Sequence, residues 1–146
     1  MYKVDKTEYG FRVAIMGDFN EDEMNQFQCE VESFRSELPE IFSGFIDARK
    51  VIAFDKDSKK SLKILEESFK KMGCQRYAVI LQSPVLSAQV RQIAFESEND
   101  EGERQINSLK YENWEQLGLD WVINGIDPDD NINNLCGITS DQIESK

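Results

Sequence analysis

The fold is decided between residues 42 and 97, where the chain reads FIDARKVIAF at 45–54, DKDSKKSLKILEESFKKM at 55–72 and YAVIL at 77–81. The first run predicts a strand, and the lysine-rich run after it has apolar residues three and four positions apart, as a helix requires. The run at 77–81 is apolar on both faces, which is typical of an interior strand covered by helices. Ser83 and Pro84 then predict the start of another helix, because serine caps helices and proline fits their first turn. Two consecutive strand-then-helix units indicate an α/β domain.

The rest of the chain extends this pattern on both sides. Two short strands up to residue 16 precede a helix that Asn20 can cap. A weaker strand at 105–111 and a final helix from 113 to 124 follow the second unit. The expected order is β-β-α-β-α-β-α-β-α, in a mixed sheet whose middle strands are parallel. We expect one domain over residues 1–125 and a flexible acidic tail over 126–146.

The charge of the chain argues against nucleic acid as a partner. Its 146 residues carry 28 acidic and 17 basic side chains, a formal charge of −11. Such a surface repels phosphate backbones. The densest basic cluster is interleaved with acidic residues and predicts a solvated helix face. Its members are Lys56, Lys59, Lys60, Lys63, Lys70 and Lys71.

Residues that usually perform catalysis are scarce. The chain has no histidine, which removes the commonest general acid or base and the usual zinc ligand. Cys29, Cys74 and Cys136 are far apart and form no CxxC pair, which fits a reducing compartment. No apolar run suits a signal peptide or a membrane span. We expect a cytoplasmic protein that is not an enzyme, with no cofactor and no metal.

Four stretches resemble the STAS domain, the fold of the anti-sigma-factor antagonists, and most closely its SpoIIAA-like branch of stand-alone bacterial proteins. They are GDF at 17–19, IDAR at 46–49, RYAVI at 76–80 with Ser83, and YENWEQLGLDWV at 111–122. The resemblance also rests on the order of the elements over residues 2–125.

In the antagonists, a serine inside an Asp-Ser-Ser-Gly motif at the start of the second helix is phosphorylated by a partner kinase. Here Asp57 and Ser58 match the first two positions, and Lys59 and Lys60 replace the last two. The resemblance therefore implies a phosphorylation or partner-binding site at Ser58, with Ser61 as the second candidate.

From the residue types alone, Ser58 is an N-cap, and a phosphate on it would face the helix dipole and nearby lysines. Asp55 and Asp57 belong to the same candidate surface. Together with Asp18 and Asp47 from neighbouring strands, they could alternatively serve as magnesium ligands or as an acid/base pair.

Two functions follow. The first is a non-catalytic regulatory module that binds a protein, such as an anti-sigma-factor-like kinase or another protein with a basic face. The alternative is a carrier of a lipid or other hydrophobic molecule, in which aromatic residues line a cavity between sheet and helices. The candidates for that lining are Trp114, Trp121, Phe45 and Phe95. A homodimer paired through an edge strand or the second helix is also open.

Overall fold

The computed structural model describes residues 1–130 and has a single five-stranded sheet within them. The elements are, in chain order, β1 (Tyr2–Lys6), β2 (Gly10–Met16), α1 (Glu21–Ser33), β3 (Phe42–Lys50), α2 (Lys56–Met72), β4 (Cys74–Leu81), α3 (Pro84–Glu96), β5 (Glu103–Asn107) and α4 (Trp114–Asn124). The α/β class and the mixed sheet are confirmed. A 3₁₀ turn at Arg35–Glu37, between α1 and β3, is additional to the expected order.

The strands lie side by side in chain order, from β1 to β5. β1 and β2 form an antiparallel hairpin, and each later strand is parallel to the one before it. The carboxyl ends of β2, β3, β4 and β5 therefore share one edge of the sheet, where α1, α2 and α3 begin. This edge positions the candidate site.

Helices cover the two faces of the sheet unequally. α1, α2 and α3 pack on one face, where Phe11, Val31 and Phe69 are among the buried residues. α4 covers the other face and buries Leu117 and Trp121 against the sheet. Because β4 lies between these two layers, the expectation from its run of apolar residues is met on both faces.

The expected third strand is displaced towards the N-terminus. The sequence predicts it at 45–54, but β3 begins at Phe42 and ends at Lys50. The backbone N–H of Phe54 donates to Oε1 of Gln89 at 2.8 Å, and the Phe54 carbonyl accepts from Nε2 of the same side chain at 3.0 Å. A side chain of α3 thus satisfies the backbone groups that a longer strand would have paired within the sheet.

Two helix starts agree with their predicted caps. The side chain of Asn20 accepts from the N–H of Glu23, and that of Ser83 accepts from the N–H of Leu86 at 3.1 Å. The tail expected from residue 126 falls for the most part on residues 131–146, which lie outside the described residues.

Candidate functional site

The first turn of α2 is built around Asp55. Its Oδ1 accepts from the backbone N–H of Ser58 at 2.7 Å, so Asp55 caps the helix. The prediction that Ser58 is the cap is wrong, because the helix begins at Lys56 and Ser58 is its third residue. The Ser58 backbone N–H and hydroxyl both stabilise the Asp55 carboxylate, which lowers the pKa of Asp55.

Ser58 is buried, with 9% of its surface exposed. It lines a cavity of about 230 Å³ between the connection from β2 to α1 and the connection from β3 to α2. Asp18, Asn20 and Asp55 line the same cavity and are themselves exposed. A ligand or an enzyme therefore reaches Ser58 past two carboxylates.

The other two candidates at the start of α2 lie outside this cavity. Asp57 is exposed to solvent in the first turn. The hydroxyl of Ser61 is 3.4 Å from Oε2 of Glu21, which belongs to α1. The structure thus brings Asp55 and Ser58 together and separates Ser61 from them by one helical turn.

The lysines of α2 do not face Ser58. Four of them line a separate groove of about 280 Å³ between α2 and α3, with Gln89, Gln92 and Glu96 opposite; these four are Lys56, Lys59, Lys60 and Lys63. Lys63 forms an ion pair with Glu96 at 3.7 Å. The expectation that a phosphate on Ser58 would face these lysines is therefore wrong, since their side of the helix is turned towards α3.

Three aliphatic side chains are exposed at the carboxyl end of the sheet: Ile52 at 76%, Val85 at 56% and Leu109 at 74%. Two hydrogen bonds hold the chain segments that carry them side by side. The hydroxyl of Ser83 donates to the carbonyl of Ile52 at 2.6 Å. The side chain of Gln82 donates to the hydroxyl of Ser108 at 3.0 Å.

We call the exposed Ile52, Val85 and Leu109, together with Asp55 and Asp57, the carboxyl-end surface. Sequence reasoning missed its apolar part, because Ile52 was expected inside a strand and single exposed aliphatic residues give no signal of their own. The capped turn at Ser83 was the available clue to the position of Val85.

Of the aromatic residues proposed to line a cavity, three lie on the α4 side of the sheet. Phe45 and Trp121 are buried in that core, and half-buried Trp114 packs against it. The indole N–H of Trp121 donates to the carbonyls of Tyr77 and Gly102. Phe95 is 72% exposed on α3 and belongs to the opposite side.

Two spaces bear on the carrier alternative. A mainly apolar cavity of about 50 Å³ lies under α1, α2 and α3, well below the roughly 300 Å³ of a small ligand pocket. Trp121 borders a more open groove of about 510 Å³ at the amino ends of the strands, but charged residues share its lining. These are Lys70, Arg76, Glu98 and Glu101.

The acidic residues offered as magnesium ligands are dispersed. Within residues 1–130, no group of three or more histidine, cysteine, aspartate or glutamate side chains is arranged to hold a metal. Asp47 is instead bound by Arg49, whose Nε lies 2.9 Å from Oδ1. None of the helices described is long and apolar enough to cross a membrane.

Comparison with known proteins gives structural matches only. No family model matches the chain, and no curated protein matches its sequence. A structure of RsbS from Moorella thermoacetica, in a serine-to-glutamate variant, aligns over 79% of this chain and 95% of that one, with a TM-score of 0.52 and 14% identity. The chain therefore has a STAS-like fold, similar to that of RsbS.

The NMR structure of the protein TM1081 is also similar. It aligns over 80% of this chain and 87% of that one, with a TM-score of 0.48 and 15% identity. The match to RsbS confirms the STAS-like fold expected from the order of elements, and at 14% identity the likeness concerns the fold.

Proposed function

We propose that this chain is a non-catalytic regulatory module of STAS type, formed by residues 1–125, which binds a protein through the carboxyl-end surface. The observation that carries the proposal is the cluster of three exposed aliphatic side chains on neighbouring connections, Ile52, Val85 and Leu109. Exposed aliphatic side chains that are grouped on neighbouring connections and bordered by polar residues are typical of a protein-binding site. The STAS fold supports the proposal, since RsbS is a regulatory protein of that fold.

The rim of the surface defines the chemistry of the partner. Asp55 and Asp57 are exposed beside Ile52, and the whole chain carries a charge of −11. A partner with an apolar centre and a basic rim complements this arrangement. Because exposed charges are screened by salt, the association rate should fall as ionic strength rises.

Phosphorylation of Ser58 would change this surface through repulsion. A phosphate there would add a charge of about −2 to a cavity that Asp18 and Asp55 already border. The Asp55 carboxylate would lose the hydrogen bond from the Ser58 hydroxyl and would be repelled by the phosphate, although the Ser58 backbone N–H still donates to it. Modification would therefore disturb the first turn of α2 and the adjoining surface. Ser61 is the second candidate, and Glu21 opposes it in the same way.

The experiment compares Ile52→Asp with Phe95→Asp as the matched control, because both side chains are highly exposed but lie on different parts of the molecule. Wild-type and variant proteins are used to capture partners from extracts of the native cells, followed by quantitative mass spectrometry. The loss of one apolar anchor of about 2 kcal/mol weakens binding roughly 30-fold, so a partner should disappear with Ile52→Asp and remain with Phe95→Asp. A partner retained equally by both variants would contradict the assignment of the surface.

Phosphorylation is tested separately, by incubation of the chain with the same extract and ATP. We expect phosphate on Ser58 and its absence in Ser58→Ala. If neither Ser58 nor Ser61 gains phosphate, control by phosphorylation is refuted while docking can still hold.

A further inference from the structure

Two carboxyl groups meet inside the core, away from the carboxyl-end surface. Glu66 on α2 and Glu103, the first residue of β5, are both buried. Their side chains lie within hydrogen-bonding reach of each other. Both line the cavity of about 50 Å³ under α1, α2 and α3, whose remaining walls are almost entirely apolar. Because an isolated charge is costly to bury, an apolar cavity tightly constrains the protonation state of two carboxyl groups.

The polar atoms at this cavity are incompletely paired. The hydroxyl of Tyr77 and Oε1 of Glu103 are buried and have no hydrogen-bond partner within residues 1–130. Oε2 of Glu66 accepts a long hydrogen bond of 3.5 Å from the hydroxyl of Ser97. Buried polar groups are nearly always hydrogen-bonded, and the cavity exceeds the 10–15 Å³ or so that one water requires.

Few charged groups oppose the pair. β4 contributes Cys74 and Tyr77, both buried and neutral. Among the described residues, the cation that acts on Glu103 is Arg91, which is exposed on α3. Burial raises the pKa of Glu66 to about 7, and burial with the neighbouring Glu66 raises the pKa of Glu103 well above its ordinary value. A state in which both carboxyl groups are charged is strongly disfavoured, because the two like charges would be buried within hydrogen-bonding reach of each other.

We propose that Glu66 and Glu103 form a proton-dependent lock between α2 and β5, in which the protonated pair closes the core and loss of a proton loosens α2 from the sheet. The reason is linkage. When α2 opens, the carboxyls meet water and release protons at their ordinary pKa, so a rise in pH favours the open form. The lock depends on the fold alone and holds whether or not the carboxyl-end surface binds a partner.

Glu66 lies where a change in its protonation affects the packing of α2 and of the elements next to it. It lies one residue after Leu65 and three before Phe69, both buried, and so occupies the core-facing stripe of α2. The side chain of Asn99 also donates to the carbonyl of Glu66 at 3.2 Å, and its backbone N–H donates to that of Ala94. Opening at Glu66 therefore disturbs the connection between α3 and β5 as well.

The test uses the whole chain, with Glu66→Gln as the variant and Glu67→Gln as its control, because Glu67 is the exposed neighbour on the same helix. Carboxyl carbons are followed by NMR between pH 4 and pH 9, and amide hydrogen exchange is measured across α2. Two glutamate resonances should titrate well above the others. Corrected for intrinsic rates, protection of α2 should fall at least about tenfold between pH 5.5 and pH 8. Between the ordinary and the raised pKa of a carboxyl, each unit of increase in pH favours opening about tenfold.

Glu66→Gln should largely remove this loss of protection, whereas Glu67→Gln should retain it. The proposal is overturned if all glutamates titrate together, or if protection of α2 in the wild-type chain does not depend on pH. The titration of the wild-type chain decides the matter even if Glu66→Gln fails to fold.

Discussion

Replacement of Ser83 by alanine tests how the carboxyl-end surface is held in place. The Ser83 hydroxyl has two roles: it accepts from the N–H of Leu86 as the cap of α3, and it donates to the carbonyl of Ile52 at 2.6 Å. Loss of a serine cap costs about 1 kcal/mol, and loss of a partly exposed hydrogen bond costs about 0.5–1 kcal/mol. We therefore expect Ser83→Ala to lower the free energy of unfolding by about 1.5–2 kcal/mol.

The loss is measured by urea unfolding, followed by the fluorescence of buried Trp121. For a chain of this length it corresponds to a fall in Tm of about 3–8 °C. Asn20→Ala is the matched control, because Asn20 caps α1 through the N–H of Glu23 and its side chain makes no second hydrogen bond within residues 1–130. Its expected loss is about 1 kcal/mol.

A third variant separates the two roles of Ser83. Ser83→Asp keeps an acceptor for the N–H of Leu86 but removes the donor to Ile52. It should regain most of the cap and still expose the Ile52 segment to faster amide exchange than in the wild-type chain. Two results together would refute this role of Ser83: Ser83→Ala is no more destabilising than Asn20→Ala, and amide exchange near Ile52 is unchanged. The hydrogen bond from Ser83 to the Ile52 carbonyl would then contribute nothing measurable to stability.

Three further substitutions test other parts of the fold. Gly118→Ala would place a methyl group 2.5 Å from the ring of Phe45, so it should destabilise the chain by roughly 1–3 kcal/mol in urea despite the better helix propensity of alanine; neutrality would show that α4 can shift. Glu98 has a φ of 61°, so Glu98→Gly should raise Tm by a few degrees, equivalent to about 1 kcal/mol, and a fall in Tm would mean that its side chain matters more than its backbone. Asp47 is partly buried, which opposes its ionisation, but hydrogen bonds from Arg49 outweigh this and lower its pKa. Asp47→Asn should lower the free energy of unfolding by about 0.5 kcal/mol at pH 7 and by little at pH 3, because the stability contributed by a carboxyl with a lowered pKa is lost as pH falls through its folded pKa. An equal loss at both pH values would exclude the ion pair as its cause.

Local patterns made the framework of the fold predictable. The run at 77–81 is apolar on both faces, and β4 is indeed covered by helices on both sides. Ser83 followed by Pro84 predicted the start of α3 because cap and first turn are adjacent in sequence. Such signals depend on residues within a few positions of one another, so the sequence alone contains them.

Contacts between distant residues account for the errors. The run at 51–54 continues the apolar character of β3, but the side chain of Gln89, some 35 residues away, forms hydrogen bonds with the backbone N–H and carbonyl of Phe54. No spacing in the sequence indicates that contact. The cap of α2 was misplaced for a related reason, since Asp55 and Ser58 can both cap a helix and the choice depends on where the preceding strand ends.

The same departure from the sheet creates both halves of the candidate site. Because the chain leaves β3 at Lys50, Ile52 is free to face solvent, and the Ser83 hydroxyl can reach its carbonyl. The helix then starts early, at Lys56, which turns Ser58 inward to the cavity and its lysines towards α3. Had the strand continued to residue 54, Ile52 would have been a sheet residue and Ser58 a surface cap. The exposure of Ile52 and the burial of Ser58 therefore have the same cause, the end of β3 at Lys50. A substitution that extends the pairing of β3 over residues 51–54 should abolish both the exposure of Ile52 and the burial of Ser58. A change confined to α2 should alter only the burial of Ser58.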